Sequence, residues 1–161
     1  MNRCLVVAII VAALTAACAT RPVAPPPRPR VITSLERDFQ ERQFEEARHV
    51  SDLPTEVRPL VALWPWPIAE PDQDYNWGCV VSEREPMKRL MVAGRSGDLY
   101  AVLFESGGSA GPRPTLILAR LREDHVTAYC EFSMPRSVVS LESAKDAISP
   151  KLYAYPSYAC R

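Results

Sequence analysis

The chain has 161 residues, 47% of them hydrophobic, with Lys+Arg 19 against Asp+Glu 19 and 16 prolines. The charges balance and no basic face emerges, so nucleic-acid binding has no electrostatic support. So many prolines argue for short elements and stiff loops rather than long helices. The chain opens with a short cationic stretch, Asn2-Arg3, and an apolar run from Cys4 to Leu14. Thr15-Ala16-Ala17-Cys18 follows. This is the layout of a secretory signal; a membrane span needs about 20 apolar residues.

Leu14-Thr15-Ala16-Ala17-Cys18 resembles the lipobox of bacterial lipoproteins. The resemblance implies that residues 1–17 are a removed signal peptide and that Cys18 becomes the lipidated N-terminus, with a lipid bilayer as its first partner. The next residue is Ala19 rather than Asp. In enteric-type bacteria that implies export to the outer membrane, with the domain facing the periplasm. Residues 18–32 form a tether. The run Pro22-Val23-Ala24-Pro25-Pro26-Pro27-Arg28-Pro29-Arg30 is an extended spacer rising about 3.1 Å per residue. Pro26-Pro27-Arg28-Pro29 also resembles peptides taken by aromatic grooves; the spacer is the favoured reading.

Residues 33–161 make one α+β domain. Thr33-Ser34-Leu35-Glu36 fits a capping box, which predicts a helix over 33–49. Leu35 and Phe39 share its face and Phe44 falls almost opposite, so the helix is expected to be mostly solvated. Asp38–Arg42 and Arg42–Glu46 have the i,i+4 spacing of ion pairs. Prolines punctuate 52–76, with 60–63 as a short edge strand. Period two then predicts strands at 77–82, 89–93, 99–105, 115–121 and 126–134, and a short helix at 140–148. The linkers are too short for parallel crossovers. The expected architecture is an antiparallel meander of about five strands with one or two helices packed on it. The tail 151–161 supplies a last extended segment.

Setting aside Cys4 in the signal and Cys18 as the lipid site leaves Cys79, Cys130 and Cys160. In an oxidising compartment three thiols allow one bridge and one spare. Cys160 is penultimate, where a fraying end gains most from a staple. Cys130–Cys160 is favoured, Cys79–Cys160 comes next, and the spare thiol is expected to be buried and inert.

Chemistry is sparsely signalled. Gly107-Gly108-Ser109-Ala110-Gly111 matches G-x-S-x-G, but a hydrolase elbow needs a helix directly after the serine. Pro112-Arg113-Pro114 stands there instead, so a flexible loop is expected. His49 and His125 are isolated, no cysteines are closely paired, and Asp72-Gln73-Asp74-Tyr75-Asn76 lacks the glycine and distal glutamate of a calcium loop. No metal, cofactor or catalytic residue is predicted. The aromatics are the better lead. Trp64 and Trp66 alternate in one extended segment and Tyr153 and Tyr155 in another, so each pair shares a face. They are candidates for partner contact, against padding of a small core. The expectation is a lipid-anchored, non-catalytic envelope protein that binds another envelope protein as adaptor or assembly factor. The alternatives are a peptidoglycan-binding module or an inhibitor of a wall-active enzyme, and then a serine hydrolase using Ser109.

Overall fold

The computed structural model describes residues 33–62, 67–78, 85–109, 111–148 and 158–161. Helix α1 (Ser34–Glu41) starts at the expected box. The Glu36 amide donates to the Thr33 hydroxyl at 3.3 Å, and the Thr33 amide donates to the Glu36 carboxylate at 2.7 Å. Two otherwise unpaired helix-end donors are thereby satisfied. Buried Glu36 also sits where the helix dipole favours negative charge.

The helix stops at Glu41 rather than at residue 49. A continuing helix would aim Phe44 away from the face of Leu35 and Phe39. Instead Arg42 turns extended, and the chain folds Phe44 back onto Phe39 edge-to-face, ring centroids 5.3 Å apart. Burial of a second ring outweighs another turn of helix. The Asp38–Arg42 pair forms at 3.2 Å, whereas Glu46, now in strand β1 (Glu45–Ala47), pairs with Arg48 at 3.1 Å. The 60–63 edge strand is likewise replaced. Residues up to Val61 belong to a single helical turn, α2 (Arg58–Val61), where Pro59 fits because the first turn needs no amide from it.

The sheet is built from β3 (Lys88–Ser96), β4 (Leu99–Ser106), β5 (Arg113–Arg122), β6 (His125–Ser133) and the short β7 (Tyr158–Cys160). Its antiparallel order is β1-β3-β4-β5-β6-β7. Strand β2 (Ile68–Ala69) adds to the outer side of β3 in parallel, which the meander did not anticipate. Trp77 and Gly78, expected in a strand, lie in none. Helix α3 (Leu141–Ile148) returns over the sheet.

Alternation along the strands fills two cores. Leu99, Ala101, Leu103, Leu116, Leu118, Cys130 and Phe132 face α1 and α3. Leu90, Val102, Phe104, Ile117 and Ala119 face Leu53, Val57, Val61 and Ile68. The proline-punctuated segment therefore acts as a covering layer for the second face. A bulge at Met91 lets Leu90 and Ala93 serve that second core while Val92 turns to the first. Gly94 is required where Leu141 and Phe44 cross β3: an added Cβ would lie 2.6 Å from Leu141 Cδ1 and 2.9 Å from Phe44 Cβ.

Charges lock α1 to the sheet. Arg42 reaches Asp38 at 3.2 Å and Asp98 at 2.8 Å, while Arg120 pairs with Asp38 and, at 3.3 Å, with Asp98. Two aspartates and two arginines thus alternate in a closed ring. The hydrogen bond from Arg42 holds the Asp98 carboxyl below its ordinary range. A depressed folded pKa contributes stability above the ordinary aspartate value and loses it as pH falls through the folded one. Asp98→Asn is therefore expected to lower stability near neutral pH by about 0.5–1 kcal/mol, since these side chains are partly solvated. Melting curves of wild type and variant should converge below about pH 4. Curves that stay parallel into strong acid would remove Asp98 from this role.

Candidate functional site

The candidates read from sequence divide sharply. Cys18 and the signal, Cys79, Trp64, Trp66, Tyr153 and Tyr155 lie outside the described residues. Cys130 and Cys160 are joined by a disulfide that fastens β7 to β6 at directly paired positions. Ser109 lies in the β4–β5 loop and His125 begins β6, so the ten residues of β5 separate them. That is roughly 33 Å, too far for a nucleophile and its base. His49, placed by sequence in the first helix, lies beyond it, exposed, with Nδ1 3.6 Å from Glu70 Oε2. Glu70 meanwhile accepts from the Val50 amide at 3.0 Å, which fixes the covering segment. Beside this pair a cleft of about 490 Å³ is lined by Glu46, Arg48, His49, Asp72, Met91, Val139 and Ser140.

A larger cleft, about 630 Å³, opens at the other end of β3 and β4. It is lined by Asp74, Tyr75, Trp77, Glu85, Arg89, Glu105 and Pro112. Arg89 and Glu105 face one another across the two strands, and Arg89 Nε donates to Glu105 Oε1 at 2.9 Å. The Arg89 guanidinium lies 4.8 Å from the Tyr75 ring centroid, a cation–π contact. Tyr75 is buried and its hydroxyl finds no hydrogen bond of good geometry among the described residues. Burial first, and then the Glu105 charge, push its phenol up to about 12, against the opposing pull of Arg89. The tyrosine wall is thus neutral at any physiological pH.

The main chain carrying Trp77 is held on both sides. The Asn76 amide donates to the Pro86 carbonyl at 2.8 Å, and Gly108 donates to the Trp77 carbonyl at 3.1 Å. Of the two adjacent glycines, Gly107 is the one that packing requires. A Cβ there would lie 2.5 Å from Asn76 O and 2.5 Å from Trp77 Cα, so only glycine lets the β4–β5 loop rest on this segment. Within the G-x-S-x-G match, Gly107 therefore serves packing, and Gly111 takes a positive φ of 81°. Trp77 itself is 61% exposed. Sequence placed it in a strand, on one face with Cys79 and Val81. The overlooked signal was Asn76 and Gly78, loop formers on either side of it.

Gly107→Ala is expected to cost about 1–3 kcal/mol, because backbone rather than a pliable side-chain tip must give way. It should also shift the Trp77 segment. Amide hydrogen exchange of residues 76–78 should accelerate in the variant; unchanged protection there would mean the loops are not coupled.

Arg89 is paired with Glu105, and the exposed carboxylates of Asp74 and Glu85 line the same cleft as the open indole. No protein-family model, no curated protein and no solved structure matches this chain.

Proposed function

We propose that the chain is a lipid-anchored envelope protein, held at the outer membrane through Cys18, whose domain binds another envelope protein without catalysing a reaction. The Trp77 cleft is its contact surface. The observation that carries this reading is an exposed indole on main chain clamped from two sides. A rigid, solvent-facing tryptophan loses little entropy on binding and offers a large apolar area, the usual make-up of a hot spot. The signal, the lipobox resemblance and the tether supply the address.

The test is crosslinking from native membranes with partners identified by mass. Trp77→Ala should abolish the adduct with the partner while the melting temperature stays within a few degrees, as for other surface changes. An unchanged set of adducts would overturn the assignment of the cleft. A second reading, a wall-binding module, draws on the same ring beside the Asp74 and Glu85 carboxylates, a combination that suits glycan contact. Retention of the protein on purified sacculi, lost in Trp77→Ala, would favour it. Labelled lipid that still enters a Cys18→Ser variant would overturn the anchor.

A further inference from the structure

We infer that the resting occupant of the Trp77 cleft is the chain's own proline-arginine tether, residues 25–30, which a partner must displace. This rests on the reading of the cleft as a contact surface and adds what covers it in the unbound protein. Three observations converge.

The first is charge. Residues 19–32 carry Arg21, Arg28 and Arg30 and no carboxylate. The cleft carries the exposed carboxylates of Asp74 and Glu85, with Glu105 already given to Arg89. The second is shape and surface chemistry. Proline rings of an extended Pro-Pro-Pro-Arg-Pro-Arg segment stack on flat aromatic faces, and such segments dock with little loss of chain entropy. The cleft offers the Trp77 indole for the prolines and exposed carboxylates for the guanidinium groups.

The third is reach. Thr33, where the described chain begins, has its hydroxyl 4.0 Å from Cys130 Sγ. Cys130 pairs with Leu118, and Leu118 with Ala101. Glu105 lies on the same strand as Ala101, four residues on, and alternation puts it on the same sheet face. Two strand spacings across and four residues along amount to about 17 Å. In an extended proline-type conformation, Arg30 lies about 9 Å and Arg28 about 16 Å back from Thr33. Arg28 therefore reaches about as far as the Glu105 end of the cleft, and the prolines ahead of it reach further, without any change in the domain.

A segment tied this closely acts at an effective concentration of about millimolar. Weak contacts, with an intrinsic Kd near 0.1 mM, would keep the cleft about nine-tenths filled. A partner segment must then compete about tenfold harder than on an open cleft. Engagement of a partner frees the tether, so binding and extension from the membrane become one event.

The test uses the full chain in its native membranes with a photo-crosslinking residue at the cleft rim, Pro112→p-benzoylphenylalanine. Irradiation should give an intramolecular adduct on residues 19–32, migrating as monomer. Arg28→Glu with Arg30→Glu, outside the folded domain, should remove that adduct and raise partner adducts about tenfold. A synthetic peptide of residues 21–32 should compete with the intramolecular adduct, and less so in Trp77→Ala. Adducts on a second copy, visible as a dimer band, overturn intramolecular docking, as does the absence of any adduct on residues 19–32. If the tether adduct is missing while a partner adduct persists, the inference fails and the contact surface stands. If the tether adduct forms but releasing the tether reveals no partner, the contact reading fails instead.

Discussion

Replacing Phe39 by alanine should destabilise the domain by about 3–5 kcal/mol, the range for deleting a buried aromatic ring. Phe39 is fully buried where α1 meets the sheet. Its ring supports the edge of Phe44, and Lys145 lies above both rings at 6.0 and 5.7 Å from their centroids. The Lys145 ammonium also donates to the Arg42 carbonyl at 3.0 Å, so α3 closes the end of α1 over the same pair. Removing the ring opens a cavity beneath two helices at once. Against the roughly 5–15 kcal/mol that stabilises a typical domain, this is a large fraction. Urea denaturation should show the midpoint moving with the slope unchanged. Phe39→Leu, which keeps most of the volume, should cost far less, about 1–1.5 kcal/mol. A cost under about 1 kcal/mol for Phe39→Ala would mean that α1 is not an integral part of the core.

Removing the disulfide should rank next. Cys130 and Cys160 are 30 residues apart in sequence. On chain-entropy grounds a cross-link of that length restricts the unfolded state by about 3–4 kcal/mol. The double change Cys130→Ser with Cys160→Ser avoids leaving a lone partner to exchange with Cys79. The melting temperature should fall on the order of 10 °C. Reduction of the wild type should reproduce the loss. The paired bonds between Tyr129 and Arg161, 3.0 and 2.9 Å, should then exchange early. A loss below about 1 kcal/mol would show that β7 docks without its staple.

Much of the architecture was legible because its signals are local. The capping residues Thr33 and Glu36 name their own helix start, and apolar alternation in 99–105 and 115–121 names strands whose short links permit only antiparallel neighbours. What was not legible depended on contacts distant in sequence. Phe44 breaks the helical stripe, yet only its meeting with Phe39 shows that the chain prefers to turn there. Ile68-Ala69 is too short to carry a period, and its parallel place beside Lys88 and Arg89 follows from the covering layer below the sheet. Residues 60–63 look apolar enough for an edge strand. Pro59 suits a helix start equally well, and burial of Val61 against the second core decides between them.

The site was harder still. Trp77 reads as one more apolar residue in an apolar run, because sequence does not reveal that Gly107 brings another loop's backbone against its neighbours. The same glycine, counted within a serine motif, pointed toward hydrolysis when its use is steric. Arg89 and Glu105 stand sixteen positions apart, and only the β3–β4 register makes them opposite.

The meeting of Thr33 with Cys130, and of Arg161 with Tyr129, has a mechanical consequence. The start and finish of the folded domain lie side by side on β6, joined there by a covalent bond to β7. Once the cleft is free of the tether, tension arriving along the chain ahead of Thr33 enters the structure at this stapled corner. It is borne by the capped end of α1, while the far end of that helix is gripped by the ring of aspartates and arginines. The load path therefore runs along α1 and leaves the loops around Trp77 unstrained. A domain loaded in this way can be pulled through the chain ahead of Thr33 without deforming the surface it presents.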